Sequence, residues 1–157
     1  MTMILVTARA IFLRCTLLCA LLLTGSLAQA QEFPPLSGRV VDAANILSPA
    51  TEAALTTKLA NLETQSQRQL VIATIPDLQG YDISDYGYQL GRHWGIGDKE
   101  RNDGVVLLIA PNERKMNISV GYGVEPVLTD ALSGSIIRND ITPKFKDGDF
   151  DGGVTAG

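Results

Sequence analysis

The chain has 157 residues, with 13 lysines and arginines against 17 aspartates and glutamates, one histidine and two cysteines. An acidic balance of this kind argues against nucleic acid and anionic lipid as partners and is compatible with divalent cations or a basic partner. The length allows one buried core without disulfide staples.

Residues 1–30 form a separate segment. Arg9 and Arg14 precede or open an apolar block from Thr16 to Leu27, which ends in Ala28-Gln29-Ala30, the small-x-small pattern of a signal-peptidase site. The block is about a dozen residues long, whereas a membrane-spanning helix needs about 20, so the prediction is a signal peptide cleaved after Ala30 rather than an anchor. Both cysteines, Cys15 and Cys19, lie within it. Leu17-Leu18 before Cys19 lacks the small residue that lipidation requires. The mature part, 31–157, keeps 11 basic residues against 17 acidic ones, a net charge of −6.

Residues 31–38 contain Pro34-Pro35 and read as an extended leader that frees the domain from its cleavage site. Val40-Val41 is a short edge-strand candidate. Ser48 as N-cap and Pro49 at the first helical position start a helix over 49–66, with Leu55, Leu59 and Leu62 repeating on one face. Gln69–Ile75 is a strand, apolar without alternation and so covered on both faces, and Pro76 stops it. Ile83, Tyr86, Leu90 and Trp94 recur at helical spacing and predict a second helix over 82–94. It crosses to the apolar run Val105–Ala110, and a crossover of this length is normally parallel and right-handed.

Pro111-Asn112-Glu113-Arg114 is a hairpin turn, after which Met116, Ile118 and Val120 alternate with polar or small residues. Position 105 then lies opposite 120. Thr129 caps a third helix with Leu132, Ile136 and Ile137 inward, and Pro143 sets its limit. Asp149–Gly157 reads as the beginning of a fourth helix that runs out of chain, the mark of a fragment. The architecture that follows is α/β, a three-layer α/β/α sandwich on a small mixed β-sheet.

Five motifs in order, Asp42-Ala43-Ala44-Asn45-Ile46-Leu47-Ser48, Trp94-Gly95-Ile96-Gly97-Asp98-Lys99, Asn102-Asp103-Gly104 leading into Val105–Ile109, Gly121-Tyr122-Gly123-Val124-Glu125, and Gly148-Asp149-Phe150, resemble the TPM domain family over residues 39–157. The resemblance implies a Rossmann-like sandwich exported across a membrane, in bacteria often followed by a membrane span and a glycine-rich tail. That places it in the periplasm, or on the outer face of the inner membrane if a downstream anchor exists. It further implies divalent-cation binding, acid phosphatase activity in a thylakoid-lumen member, and accessory roles in repair or assembly of membrane complexes.

Closing the hairpin brings Asp103 and Glu125 to one end of the sheet, with Asp98 on the loop feeding the same strand. Three carboxylates at short range repel one another, and two remedies stand side by side. Hard cations, Ca²⁺ or Mg²⁺, take oxygen donors of this type. Alternatively, Arg101 or Lys99 folds back over the acids, and Asn102-Asp103-Gly104 is simply a good turn. Asp130 opens the third helix, where an acid is favourable without metal. Asp42 matches the first motif but falls at the opposite sheet end. Asp98, Asp103 and Glu125 are therefore the primary metal candidates, and Asp42 and Asp130 secondary ones.

Asp147–Gly152 satisfies half an EF-hand loop, whose twelfth ligand would fall beyond Gly157, and a capped turn is the stronger reading. His93 stands alone as a packing or surface residue. No serine, cysteine or histidine arrangement for nucleophilic catalysis is visible, and Gly121-x-Gly123 is too short for a nucleotide loop, so no nucleotide cofactor is expected. Two functions remain: a non-catalytic, cation-binding accessory domain docking on a membrane protein complex, which is preferred, and a metal-assisted phosphomonoesterase. An acidic mouth repels a phosphate dianion unless a metal reverses the local sign.

Overall fold

The structure, a computed structural model, describes residues 31–157. The signal-peptide reading, with Cys15 and Cys19, lies outside the described residues. No helix among those described is long and apolar enough to cross a membrane.

Four strands form one sheet in the order β1 (Val40–Asp42), β2 (Leu70–Thr74), β3 (Val105–Ala110) and β4 (Lys115–Val120). The first three run parallel, and β4 returns antiparallel to β3 with Val105 opposite Val120. Period-two alternation divides β2 and β3 between two cores. Ile72, Leu107 and Ile109 join Leu55 and Leu59 of α1 (Pro49–Ser66) on one face. Ala73, Val106, Leu108 and Ala110 join Ile83, Tyr86 and Leu90 of α2 (Ile83–Trp94) on the other. The runs lacked alternation because both faces are covered, and the result is the α/β/α sandwich.

The chain steps across β1, β2 and β3 in one direction, yet α1 and α2 pack on opposite faces. The two crossovers therefore have opposite hands, so one of them departs from the right-handed rule.

Local signals account for the helix ends. The Ser48 side chain accepts from the Thr51 amide, with Pro49 at the first turn, and the Asp82 side chain accepts from Ser84. Gly95 ends α2 in the left-handed region (φ 65°), with the Gly95 amide donating to Arg92 and the Ile96 amide to Gly91. After β4, Thr129 caps α3 (Asp130–Ile136), which runs through a wide π-helical turn (Ile137–Ile141) into α4 (Thr142–Lys146); α5 (Phe150–Ala156) follows with Asp149 as its cap.

Four expectations need correction. Pro143 does not end the third helical stretch: the extra residue of the π turn, closed by Thr142 N–H and hydroxyl donating to the Ile137 carbonyl, re-aims the carbonyls ahead of the proline ring. Leu132 does not face inward and is 45% exposed, whereas Ile136 and Ile137 do pack on the core. Leu62 is exposed at the edge of its helix. The leader is extended but not loose: Phe33 stacks edge-on against Tyr86 at 5.2 Å, Trp94 Nε1 donates to the Pro34 carbonyl at 2.9 Å, and Gln79 Nε2 donates to the Glu32 carbonyl.

Candidate functional site

The amino end of β3 carries two loops, 95–104 before it and 121–125 after β4, which are joined through glycine. The Gly123 amide donates to the Asn102 carbonyl at 2.9 Å and the Gly121 amide to the Gly104 carbonyl at 2.8 Å. A Cβ on Gly121 would overlap the Asn102 carbonyl oxygen, and one on Gly123 that of Arg101. Gly97 and Gly104 meet each other in the same way, with Gly97 at φ 88°. These glycines are what backbone-on-backbone approach demands.

The first loop is organised from inside by two carboxylates. Asp103 is buried, 4% exposed; its Oδ1 accepts from the Asp98 amide at 2.9 Å and its Oδ2 from Arg101 Nε at 2.7 Å. Asp98 Oδ1 accepts from the Glu100 and Arg101 amides, both at 2.9 Å, and its Oδ2 lies 3.6 Å from the Arg101 guanidinium. Arg101 also donates to the Gln67 carbonyl, and the Gln69 side chain accepts from the Gly97 amide at 2.8 Å. The amides of Arg101 and Glu100 hold the Asp98 carboxyl below its ordinary range. Burial pushes Asp103 up, but the Asp98 amide and the Arg101 guanidinium outweigh it and hold it low as well.

Beside these loops, α2 and the end of β4 enclose an open cleft of about 560 Å³. Its walls are Tyr88 and Arg92 from α2, Asp98, Lys99 and Asn102 from the first loop, and Ser119, Tyr122 and Glu125 from β4 and the second loop. Gly87 lets α2 approach β4 closely, since a Cβ there would meet Ser119 Oγ at 2.5 Å. Tyr88 and Arg92 are one turn apart, with the guanidinium 5.6 Å from the ring centroid.

Hairpin closure predicts Asp103 and Glu125 together, with Asp98 on the feeding loop; Asp98 and Glu125 both line the cleft, but Asp103 does not, and sits buried behind the loop, engaged by Arg101. Among the described residues no group of three histidine, cysteine or acidic side chains is placed to hold a metal ion. Asp130 is in the first turn of α3. Asp42 is at the opposite sheet end, where it accepts from the Ile46 and Leu47 amides and from the buried Thr74 hydroxyl. Asp149 caps α5 by accepting from the Gly152 amide, as a capped turn does. His93 lies against Phe33, ring centroids 5.1 Å apart. Tyr88, Arg92 and Tyr122 were not singled out from sequence. The signal for the first two was present: with Ile83, Tyr86 and Leu90 inward, positions 88 and 92 fall on the outer flank of α2.

Fold and cleft together define an α/β/α sandwich domain with an open cleft at the amino end of β3, opposite to the carboxyl-end crevice usual in parallel sheets. The chain belongs to the TPM domain family, which matches residues 40–157. Among solved structures it is similar to the N-terminal domain of a P. gingivalis protein, at 28% identity and TM-score 0.70 over 75% of each chain. The N-terminal domain of the cg2496 protein from Corynebacterium glutamicum shares the fold at 20% identity and TM-score 0.60, over 85% of this chain and 82% of that one. So does the BA42 protein from Bizionia argentinensis, at 19% identity and TM-score 0.58, over 69% and 73%. No curated protein matches the chain.

Proposed function

We propose that this TPM domain is an exported accessory domain of membrane protein complexes that binds a divalent cation at the cleft rim and transforms no substrate. One observation supports it above the others: Asp98 on the cleft rim meets one displaceable base, Arg101, and Glu125 in the same lining is in no salt bridge among the described residues. Arg101 is half exposed and only 3.6 Å from Asp98 Oδ2, a contact that water screens strongly. With Arg101 in place the three carboxylates do not form a cation site, because both Asp103 oxygens are engaged. The donors that fit Ca²⁺ or Mg²⁺ are Asp98 Oδ2 and Glu125, with Asn102 beside them, and they become available as Arg101 withdraws. Asp103 then acts as the organiser of the loop rather than as a ligand.

The test is a Ca²⁺ titration of the protein followed by backbone amide shifts. Saturable shifts at 98–104 and 121–125 are expected, tighter in Arg101→Gln and lost in Glu125→Gln. No saturable change up to about millimolar Ca²⁺ or Mg²⁺, the weak end of calcium sites, removes the cation from the reading. Export predicts a mature chain beginning at Gln31 by mass spectrometry; recovery of an intact 1–30 segment would defeat it.

A phosphomonoesterase is the second reading. It is favoured by Arg92 and Lys99, which line the same cleft as Asp98 and Glu125 and would hold phosphate oxygens. No nucleophile with an adjacent base stands in that lining. Turnover of a generic phosphomonoester that disappears in Glu125→Gln would replace the accessory reading.

A further inference from the structure

We propose that the outer edge of β4 receives an extended, acidic segment of a protein partner as an added fifth strand. β4 is the last strand of the sheet, and all six of its residues pair with β3 in unbroken register. Among the described residues nothing pairs with its other edge, so alternate N–H and C=O groups of Lys115–Val120 face outward. Natural edges of this length are blunted by a bulge, a proline or inward charge. β4 has neither bulge nor proline, and its one charge, Lys115, is at the far end from the cleft. The opposite edge, β1, is only three residues long.

Exposed apolar side chains gather on the elements flanking this edge. Tyr88 is on α2, which packs over β4; Tyr122 and Val127 follow β4 directly; Leu132 is on α3, which packs against β4. Tyr122 is 75% exposed. In strand addition the main chain supplies affinity, and side chains on either face supply specificity. These four are placed to meet alternate side chains of an incoming strand.

The charge of the occupant follows from Arg92 and Lys99. Both line the cleft beside the end of β4, and neither is in a salt bridge among the described residues; Asp98 and Asp103 share Arg101, which leaves in the lining two unpaired bases against one unpaired acid, Glu125. A second copy of the chain does not supply the missing acid, because the strand it would lay against β4 carries only Lys115. A heterologous acidic strand does.

The inference rests on the accessory-domain reading and adds the surface and the mode of docking. Selection of a random peptide library on the purified protein tests it. Enriched peptides should alternate apolar with other residues and carry aspartate or glutamate, and should shift the amides of Lys115–Val120. Arg92→Glu, on an exposed flank where folding is not at risk, should weaken the selected peptide about tenfold, as attraction at a part-exposed pair becomes repulsion, and should turn the selection toward basic peptides. No enrichment, shifts that leave β4 untouched, or indifference to Arg92→Glu each overturns the proposal. A peptide bound elsewhere defeats only the edge and leaves the accessory domain standing; phosphomonoester turnover defeats the accessory reading and leaves the peptide result as it is.

Discussion

Replacing Gly123 with alanine tests whether the two loops of the site are joined backbone to backbone. Ordinarily a glycine to alanine change at compatible dihedrals stabilises by about 0.4–1 kcal/mol, because the unfolded chain loses freedom. Gly123 is not in the left-handed region, so its backbone would tolerate alanine. The new methyl, however, would run into the Arg101 carbonyl oxygen, a backbone atom that no rotamer change can move aside. The loops must part, at about 1–3 kcal/mol for overpacking. Parting also strains the Gly123 N–H bond to Asn102, worth about 0.5–1.5 kcal/mol. Set against the entropic gain, the net loss is about 0.5–4 kcal/mol, centred on about 2. Urea unfolding of Gly123→Ala beside Gly38→Ala reads the difference. Gly38 has open space, with the Val40 carbonyl at 4.0 Å as the nearest group, and its alanine variant should be neutral or slightly stabilised. Amide exchange at position 123 should accelerate in the first variant only. Equal stability of the two variants would refute the joined-loop account.

Leu107 is in the core between β2 and β4, and Leu107→Ala should cost about 2–5 kcal/mol in the same assay; a loss below about 0.5 kcal/mol would mean the strand is peripheral. Thr74 is fully buried, donating to Asp42 and accepting from the Ala44 amide at 3.1 Å. Thr74→Val, which leaves the Ala44 amide without its acceptor and Asp42 with only the Ile46 and Leu47 amides, should cost about 1–3 kcal/mol, and Thr74→Ser, which keeps the hydroxyl, clearly less; the reverse order would exclude the hydrogen bonds as the cause. Asp98, Asp103 and Asp151 all have carboxyls held below their ordinary range, Asp151 chiefly by the Ser48 amide. Because their folded values lie below the unfolded value of about 3.9, their contribution is complete above it and is lost as pH falls through the folded values. Urea midpoints should therefore hold from about pH 7 to 5 and fall below about pH 4, with a shallower fall in Asp103→Asn.

The sequence by itself determined the local elements. Ser48-Pro49 fixed the start of α1 because a side-chain cap and a missing amide act within one turn. The unalternating β2 and β3 and the turn at 111–114 fixed a buried pair of strands and the opposition of Val105 and Val120, since side-chain period and turn length leave one register. What the sequence could not decide depends on placement between elements. Helical spacing put Leu62 and Leu132 on apolar faces, but whether a face is covered depends on what the rest of the chain packs there. Pro143 is a stop signal locally, and only the π turn ahead of it shows how the helix continues. The opposite hands of the two crossovers have no local signature, because handedness is a relation among three elements.

The site divides in the same way. Hairpin closure put Asp103 and Glu125 at one end of the sheet with Asp98 on the feeding loop, and of these Asp98 and Glu125 line one cleft. Arg101 folding back over the acids was one of two remedies open from the sequence; that Asp103 takes Arg101 and the Asp98 amide was decided by tertiary structure, because glycine-mediated contact of the loops buries position 103 and a buried carboxylate must take the donors within reach.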